Sequence, residues 1–196
     1  MKRIFIITSL CTFLSLVASA QVEFGIKAGP MLSNIVTRDL DTLNFDRPDP
    51  KVSYLLGAFV SIAVADKLSL QGELLYANKG RGRIEEDDLS NSLHYLSLPV
   101  LLQYEVLHGL RVGLGPELSY LMGAEGIRFV EDWDVALNVG ASYALTEHWL
   151  VDLRYNMGIY DISEPLQPLF GSMDPVLSDL TTRNRSVQLT VGYRFK

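Results

Sequence analysis

This 196-residue sequence is poor in cysteine, in histidine and in long apolar runs. Its one cysteine, Cys11, lies in a leader-like segment, so the remaining chain can form no disulfide and carries out no thiol chemistry. The three histidines give few candidates for a catalytic base. Beyond Ala20 there is no run of twenty apolar residues, so a membrane-embedded chain would have to cross as strands rather than helices.

The first twenty residues have the organisation of a secretory signal peptide. Lys2 and Arg3 provide a positive start, residues 4–17 an apolar stretch, and Ala18-Ser19-Ala20 a small-residue cleavage site. An uncleaved membrane anchor is the alternative, which the shortness of the apolar stretch disfavours. The surroundings of Cys11 do not resemble a lipoprotein site. The sequence therefore predicts a cleaved signal peptide and export from the cytoplasm.

Cleavage after the leader would leave residues 21–196, enough for one domain. Without Lys2 and Arg3, that domain has 15 basic and 23 acidic residues, a net charge of −8. An acidic balance of this size argues against nucleic acid as a partner.

A stretch of strict alternation, residues 94–106, is the clearest structural signal in the chain. Its even-numbered positions from Leu96 to Val106 are apolar or aromatic, while most odd-numbered positions are polar. This period of two predicts a strand with one apolar face. With a tilt near 40°, about ten such residues would cross roughly 25 Å, the apolar band of an outer-membrane barrel.

The same alternation recurs along the chain and predicts eight strands. Their ranges are 22–34, 52–64, 68–79, 94–106, 110–121, 133–145, 149–161 and 187–195. The connections after strands 2, 4 and 6 are about three residues long, whereas the others are the long polar loops 35–51, 80–93, 122–132 and 162–184. Short periplasmic turns that alternate with long external loops indicate an all-β fold, an eight-stranded antiparallel up-and-down transmembrane β-barrel.

Charged residues gather on the strand face opposite the apolar one. This set comprises Glu23, Glu73, Glu105, Glu117, Asp152, Lys27, Lys79, Arg111, Arg154 and Arg194. Five acids and five bases would neutralise one another in a narrow lumen, where an unpaired charge is costly. The alternative is a soluble lipocalin-like barrel with an apolar interior, which would not hold so many charges. We therefore expect the charges to point inward, as a plug and not a conduction path.

Aromatic residues lie near the ends of the apolar face. They are Tyr54, Tyr76, Tyr104, Tyr120, Trp133, Trp149, Tyr193 and Phe195. Aromatic rings concentrate at the two membrane–water interfaces of transmembrane barrels, so this placement favours the membrane-spanning alternative.

The segment Tyr95-Leu-Ser-Leu-Pro-Val-Leu-Leu-Gln-Tyr104 resembles the strand motif of the PorT-like outer-membrane β-barrel family of Bacteroidetes. The segment Gly25–Gly29 and the final Gly192–Lys196 are similar to the ends of that family. The resemblance covers nearly all of residues 21–196. It implies an eight-stranded outer-membrane barrel, and one named member of the family serves a protein-secretion system. The terminal Lys196 departs from the terminal aromatic residue of proteobacterial barrels, with Phe195 one place earlier.

A short internal repeat relates residues 25–33 to residues 111–119. Both segments contain a Gly-Pro pair, Gly29-Pro30 and Gly115-Pro116. The repeat would relate strand 1 to strand 5, as if two four-stranded halves had been joined. Further glycines on the inward face are interpreted as room for side chains or as bends; they are Gly25, Gly57, Gly113, Gly140 and Gly192.

His94 is the one candidate for catalysis. It begins strand 4 on the outward face near the external rim, with Ser92 close by, and some outer-membrane barrels modify lipids with a histidine, a serine and an acid. No carboxylate stands at a recognisable spacing, so the requirements of a triad are not met. His108 and His148 fall in short turns, where solvated side chains are expected.

Two charged loop segments suggest contacts at the external rim. The acidic run 85–88 could bind Ca²⁺ through its oxygens, but it lacks the spaced ligands of a calcium loop, and a solvated loop is the better interpretation. Arg81 and Arg83 could meet lipopolysaccharide phosphates, although ordinary solvation explains them equally well.

The sequence as a whole predicts a non-enzymatic outer-membrane protein with a structural or surface-interaction role. Its expected surroundings are outer-membrane lipid and lipopolysaccharide, and loop 162–184 is the expected contact surface for a protein partner. Two alternatives stay open: an accessory component of a secretion or transport assembly, and a lipid-modifying barrel enzyme. No catalytic residue, cofactor or metal ligand is predicted.

Overall fold

The computed structural model describes residues 22–37, 50–82, 91–125, 131–159 and 182–195. The predicted signal peptide lies outside the described residues, as does most of each long predicted loop. The strands are β1 (Val22–Thr37), β2 (Lys51–Ala65), β3 (Leu68–Arg81), β4 (Asn91–Leu107), β5 (Leu110–Glu125), β6 (Trp133–Ala144), β7 (Trp149–Gly158) and β8 (Thr182–Phe195).

The eight strands form a closed antiparallel barrel in which each strand pairs with its neighbours in the sequence. Closure is made by β1 and β8, which pair from Phe24 with Phe195 to Thr37 with Thr182. Closing the sheet leaves no strand edge unpaired. A β-structure that spans lipid must have no such edge. The predicted fold class is confirmed.

The barrel has two unlike edges. Turns at 66–67, 108–109 and 145–148 join strands at one edge, which we call the turn side. Gly109 adopts a φ of 80°, a left-handed conformation that glycine accepts without steric cost. The longer connections leave from the opposite edge, which we call the loop side.

Several strands run further toward the loop side than the sequence predicts. β1 continues to Thr37 instead of residue 34, β5 to Glu125 instead of residue 121, and β8 begins at Thr182 instead of residue 187. The apolar pattern marks only the part of a strand within the apolar band, whereas backbone pairing continues beyond it. β7 is the exception: it ends at Gly158, its last residue in register with β6, and not at residue 161 as predicted.

The two faces of the barrel wall are oriented as the charges predict. On the outside, Leu114 and Val139 are 55% and 51% exposed, whereas the inward Lys27 and Glu73 are 4% and 5% exposed. An apolar exterior around a charged interior suits lipid and not water. The lipocalin-like alternative is therefore wrong. Among the described residues, no helix is long and apolar enough to span a membrane.

The outward aromatic rings form a belt at each side of the barrel. At the loop side, the rings of Tyr120 and Trp133 lie 5.0 Å apart. At the turn side, Tyr193 packs against Trp149 at 5.0 Å and against Phe195 at 5.3 Å. These are the loop-side and turn-side belts below, and their placement confirms the predicted aromatic positions.

The two Gly-Pro pairs of the internal repeat occupy equivalent places in the barrel. Gly29-Pro30 lies where the pairing of β1 with β8 is interrupted, and Gly115-Pro116 where the pairing of β5 with β4 is interrupted. A side chain at Gly29 would collide with the carbonyl oxygen of Leu189, and one at Gly115 with that of Val100. Each pair lets neighbouring backbones approach closely, four strands apart around the barrel.

Other inward glycines make room for large side chains, as predicted. A β-carbon on Gly25 would come within 2.6 Å of the Phe59 ring, and one on Gly192 within 2.8 Å of Leu150. A small apolar cluster of Met31, Leu55, Leu75 and Ala77 fills part of the lumen beside β1, β2 and β3.

Candidate functional site

Ionic contacts occupy the lumen at three levels, and the level nearest the short turns is partly open to water. This turn-side layer consists of Glu23, Glu105, Arg111 and Arg194. Glu23 accepts from Arg194 at 2.9 Å and from Arg111 at 3.3 Å, while Arg111 lies 3.8 Å from Glu105. The side chains are between 13% and 33% exposed. At such exposure, solvent reduces each pair to about 0–1 kcal/mol of stabilisation.

The middle layer is buried and neutral. It consists of Lys27, Glu73, Asp152 and Arg154. The Nζ of Lys27 lies 2.9 Å from Glu73 and 2.7 Å from Asp152. Arg154 donates two hydrogen bonds, of 2.8 and 2.9 Å, to the carboxylate of Glu73. Two bases thus balance two acids, and the paired Arg–carboxylate geometry is the stronger kind of ion pair.

Neutral side chains complete the hydrogen bonding of the middle layer. Gln71 donates to Glu73 at 2.5 Å, and Thr190 donates to Asp152 at 3.3 Å. The ammonium of Lys27 lies 5.6 Å from the centre of the Phe59 ring. Such complete pairing is what makes buried charge tolerable in a folded protein.

The loop-side layer is buried as well, but its charges do not balance. It consists of Lys79, Glu117 and Asp134 with the amides of Asn138, Asn156 and Asn184. Lys79 lies 3.0 Å from Glu117 and 3.5 Å from Asp134, and these three side chains are at most 2% exposed. Among the described side chains, one base faces two acids, which leaves one net negative charge.

The three asparagines direct their amide hydrogens at those carboxylates. Asn138 and Asn156 donate to the same oxygen of Glu117 at 2.8 and 3.0 Å, and Asn184 donates to Asp134 at 2.9 Å. The bond from Asn184 on β8 to Asp134 on β6 crosses β7 where Gly158 has no side chain, and a β-carbon there would contact the Asn184 backbone.

The described lumen is narrow where the turn-side and middle layers meet. The interior space lined by Gln103, Arg111 and Arg154 measures about 10 Å³, room for about one water. Eight strands enclose an interior just wide enough for side chains to fill. The arrangement can hold the wall rigid and obstruct passage.

The sequence missed two members of the loop-side layer. Alternation assigns Asp134 to the inward face, yet the predicted charge set does not contain it, although its burial is complete. Asn184 falls in a predicted loop, and only the earlier start of β8 brings it into the lumen. The alternation of strand 6 is the pattern that could have identified Asp134, whereas no pattern in the sequence places Asn184 in the lumen.

His94 and Ser92 are not brought together. The Nδ1 of His94 lies 2.6 Å from the hydroxyl of Tyr76, and its Nε2 lies 4.0 Å from Glu125, a carboxylate that the sequence did not indicate. Ser92 instead accepts a hydrogen bond of 2.5 Å from Lys51. A serine nucleophile needs a base within hydrogen-bond reach, and His94 is not that base for Ser92.

The two turn histidines differ from each other. His108 is fully exposed, as predicted for a solvated turn residue. His148 is partly buried: its ring stacks on Tyr193 at 5.5 Å, and its Nδ1 lies 3.1 Å from the carbonyl oxygen of Arg194. It therefore helps to fix the turn-side end of β8 beside β7.

The remaining predicted sites cannot be placed. The acidic run 85–88 and Arg83 lie outside the described residues, as does the side chain of Arg81. In the part of the chain that the structure describes, no group of three or more histidine, cysteine, aspartate or glutamate side chains is arranged to hold a metal ion.

Comparison with known proteins relates the chain to outer-membrane barrels. The outer membrane protein beta-barrel domain matches residues 6–195. No curated protein sequence matches the chain significantly.

Solved structures align with most of the chain at low identity. Ail of Yersinia pestis, in complex with the heparin analogue sucrose octasulfate, is 14% identical over 89% of this chain and 99% of its own, with a TM-score of 0.51. The Neisserial surface protein NspA is 14% identical over 90% and 99%, and OprG of Pseudomonas aeruginosa 16% identical over 90% and 97%, each with a TM-score of 0.49. Because the family model matches nearly the whole chain, the chain belongs to the outer-membrane β-barrel domain family.

Proposed function

We propose that this outer-membrane barrel is a non-enzymatic protein in which the lumen is a structural plug and the external loops make the functional contacts. The middle layer carries this proposal, because Lys27 and Arg154 with Glu73 and Asp152 fill the lumen with neutral, fully paired charge. Permeation would have to break bonds of 2.7–2.9 Å between groups that are at most 6% exposed. Such a lumen supports a wall and does not serve as a route for solutes.

The length of the loop-side connections supports contact at that edge. The connections between the described strand ends contain 12, 8, 5 and 22 residues that the structure leaves undescribed, against turns of two to four residues on the other side. Long segments on one edge of a rigid scaffold are where binding residues concentrate. The proposed contact surface is the segment predicted as 162–184, shortened by its last three residues, which belong to β8.

Two finer assignments belong to the same proposal. The motif that resembles PorT-like proteins forms β4 from Tyr95 to Tyr104, with its apolar positions outward, which supports a PorT-like membership within the broader family. A leader removed after Ala20 is supported by the start of β1 at Val22, two residues beyond it. The intact mass of the membrane-extracted protein tests the cleavage.

Conductance tests the plug. The purified barrel, inserted in a planar lipid bilayer, is expected to give no stepwise single-channel currents. Regular current steps from the folded protein would overturn the plug and favour a transport role.

Site-specific cross-linking tests where the contacts are made. A photo-cross-linking residue at position 170 is expected to form protein adducts in intact cells, and one at position 108, in a turn, is expected to form none. Adducts at position 108 alone would contradict the surface role and favour an accessory component of a periplasmic assembly.

Lipid analysis tests the enzyme alternative. Cells that express the wild type and the variant His94→Ala are expected to have identical lipid A and phospholipid acyl chains, because His94 pairs with Tyr76 and not with Ser92. A modification that is present with the wild type and lost with the variant would overturn the non-enzymatic assignment.

A further inference from the structure

Three buried oxygens in the loop-side layer have no hydrogen-bond donor among the described residues. They are the Oδ1 atoms of Asp134, Asn156 and Asn184. Their side chains belong to residues that are 0%, 0% and 2% exposed. Leaving a buried polar atom unpaired costs about 1–3 kcal/mol, and more for a charged group, so three acceptors in one layer require an explanation.

The amide orientations are fixed by the neighbouring carboxylates. Asn184 already gives its amide hydrogens to Asp134, and Asn156 gives its own to Glu117 and to the carbonyl of Asn138. Turning either amide over would bring its oxygen against the acceptor that its nitrogen now contacts. Each carbonyl oxygen is therefore held on the side of its amide that faces away from these partners, in a buried side chain of the lumen face.

The excess charge of the layer lies at one of the same three oxygens. Lys79 is the one base of this layer among the side chains that the structure describes. Its contacts with Glu117 at 3.0 Å and with the Oδ2 of Asp134 at 3.5 Å leave the Oδ1 of Asp134 unpaired by any described group. Both oxygens of Glu117 accept hydrogen bonds, from Lys79 and Ser119 on one side and two amides on the other. The uncompensated negative charge of the layer thus resides on Asp134.

One neutral donor lies in the same layer. The hydroxyl of Tyr95 is buried beside the amide of Asn184, and its ring lies 5.1 Å from the ammonium of Lys79. A single hydroxyl hydrogen can satisfy one of the three oxygens and cannot remove the negative charge.

We propose that the loop-side layer binds one small monovalent cation, of the Na⁺ class, through Asp134 and the carbonyl oxygens of Asn156 and Asn184. Carboxylate and amide oxygens are the ligands of hard cations. A single positive charge neutralises the layer, whereas a divalent ion would leave it with an excess positive charge. The ion would make the loop-side layer as balanced as the middle layer, which needs none.

The test compares stability in different salts at constant ionic strength. Wild-type barrel in lipid vesicles is unfolded by urea in NaCl, in CaCl₂ and in N-methylglucamine chloride, whose cation is too large for the site. Na⁺ at about ten times its dissociation constant is expected to raise the ratio of folded to unfolded protein about tenfold. The gain is expected to saturate with Na⁺ concentration, unlike charge screening.

Two lumen variants provide the matched comparison. Asp134→Asn removes the free charge and is expected to abolish the Na⁺ effect, while Asp152→Asn, an acid of the middle layer, is expected to keep it. Equal stability of the wild type in Na⁺ and in N-methylglucamine would overturn the proposal, even where Asp134→Asn fails to fold. A saturable gain from Ca²⁺ and none from Na⁺ would overturn the monovalent assignment. Neither result bears on the plug or on the loop contacts of the proposed function.

Discussion

The middle and loop-side layers of the lumen are built around the same kind of residue but reach different balances. Each is centred on a buried lysine, Lys27 or Lys79, that lies between two carboxylates and within 5.6 Å of an aromatic ring centre. The middle layer adds Arg154 as a second base. The loop-side layer has asparagines instead, which donate hydrogen bonds without adding charge.

This difference shows that hydrogen bonding and charge balance are separate requirements. Most hydrogen-bond donors in both layers are paired, yet among the described side chains only those of the middle layer sum to zero charge. A buried layer that is short of one positive charge is more sensitive to the loss of its lysine. The comparison can be tested by removing each base in turn.

Loss of Lys79 is expected to have the largest effect. In Lys79→Met, Glu117 and Asp134 keep their burial without any base in their layer, so the free energy of unfolding is expected to fall by about 3–5 kcal/mol. Urea titration in lipid vesicles, followed by the fluorescence of Trp133 and Trp149, measures it. Lys67→Met, in an exposed turn, is the control, and an equal loss in both would refute the buried-charge argument.

Loss of Lys27 is expected to cost less, because Arg154 stays paired with Glu73 through two hydrogen bonds. Lys27→Met should lower the free energy of unfolding by about 1–3 kcal/mol in the same titration. It also gives the middle layer one base and two acids, so a new dependence on Na⁺ is expected. If this variant is less stable than Lys79→Met, the ranking of the two layers is wrong.

The turn-side layer should give the smallest effect. Glu23→Gln breaks contacts with Arg111 and Arg194 that are partly exposed to water, so a change of about 0–1 kcal/mol is expected. Because salt screens exposed charges, the difference from the wild type should shrink in about 0.5 M salt, whereas that of Lys27→Met should persist. Persistence of the Glu23→Gln difference at high salt would place this layer with the buried ones.

The sequence predicted which face each charge occupies, but not the layers. Alternation along one strand assigns Lys27 and Asp152 to the lumen without showing that they touch. Their contact joins β1 to β7. The two residues are 125 positions apart in the sequence, and their strands are not neighbours in the sheet. The level at which two such side chains meet depends on the stagger of every strand between them, which no local pattern records.

The residues that the sequence did not identify also depend on how neighbouring strands pair. Asn184 became a lumen residue because β8 pairs with β1 as far as Thr182, well beyond the apolar band. Glu125 reached His94 because β5 extends past its predicted end and the register with β4 shifts between His94 and Tyr95. Loop-like composition does not prevent backbone pairing once a neighbouring strand is in place.

The spacing of the aromatic belts carries a consequence for the surrounding bilayer. On β4, His94 stacks on the outward ring of Tyr76 in the loop-side half of the barrel, and Tyr104 lies near the turn side. About ten residues separate them, roughly 33 Å along the strand or roughly 25 Å across the membrane after tilt. That is thinner than the hydrocarbon core of an average bilayer, so acyl chains that are too long must compress around the wall. Lipids with shorter chains are therefore the ones in which this barrel should fold with the least distortion of its surroundings.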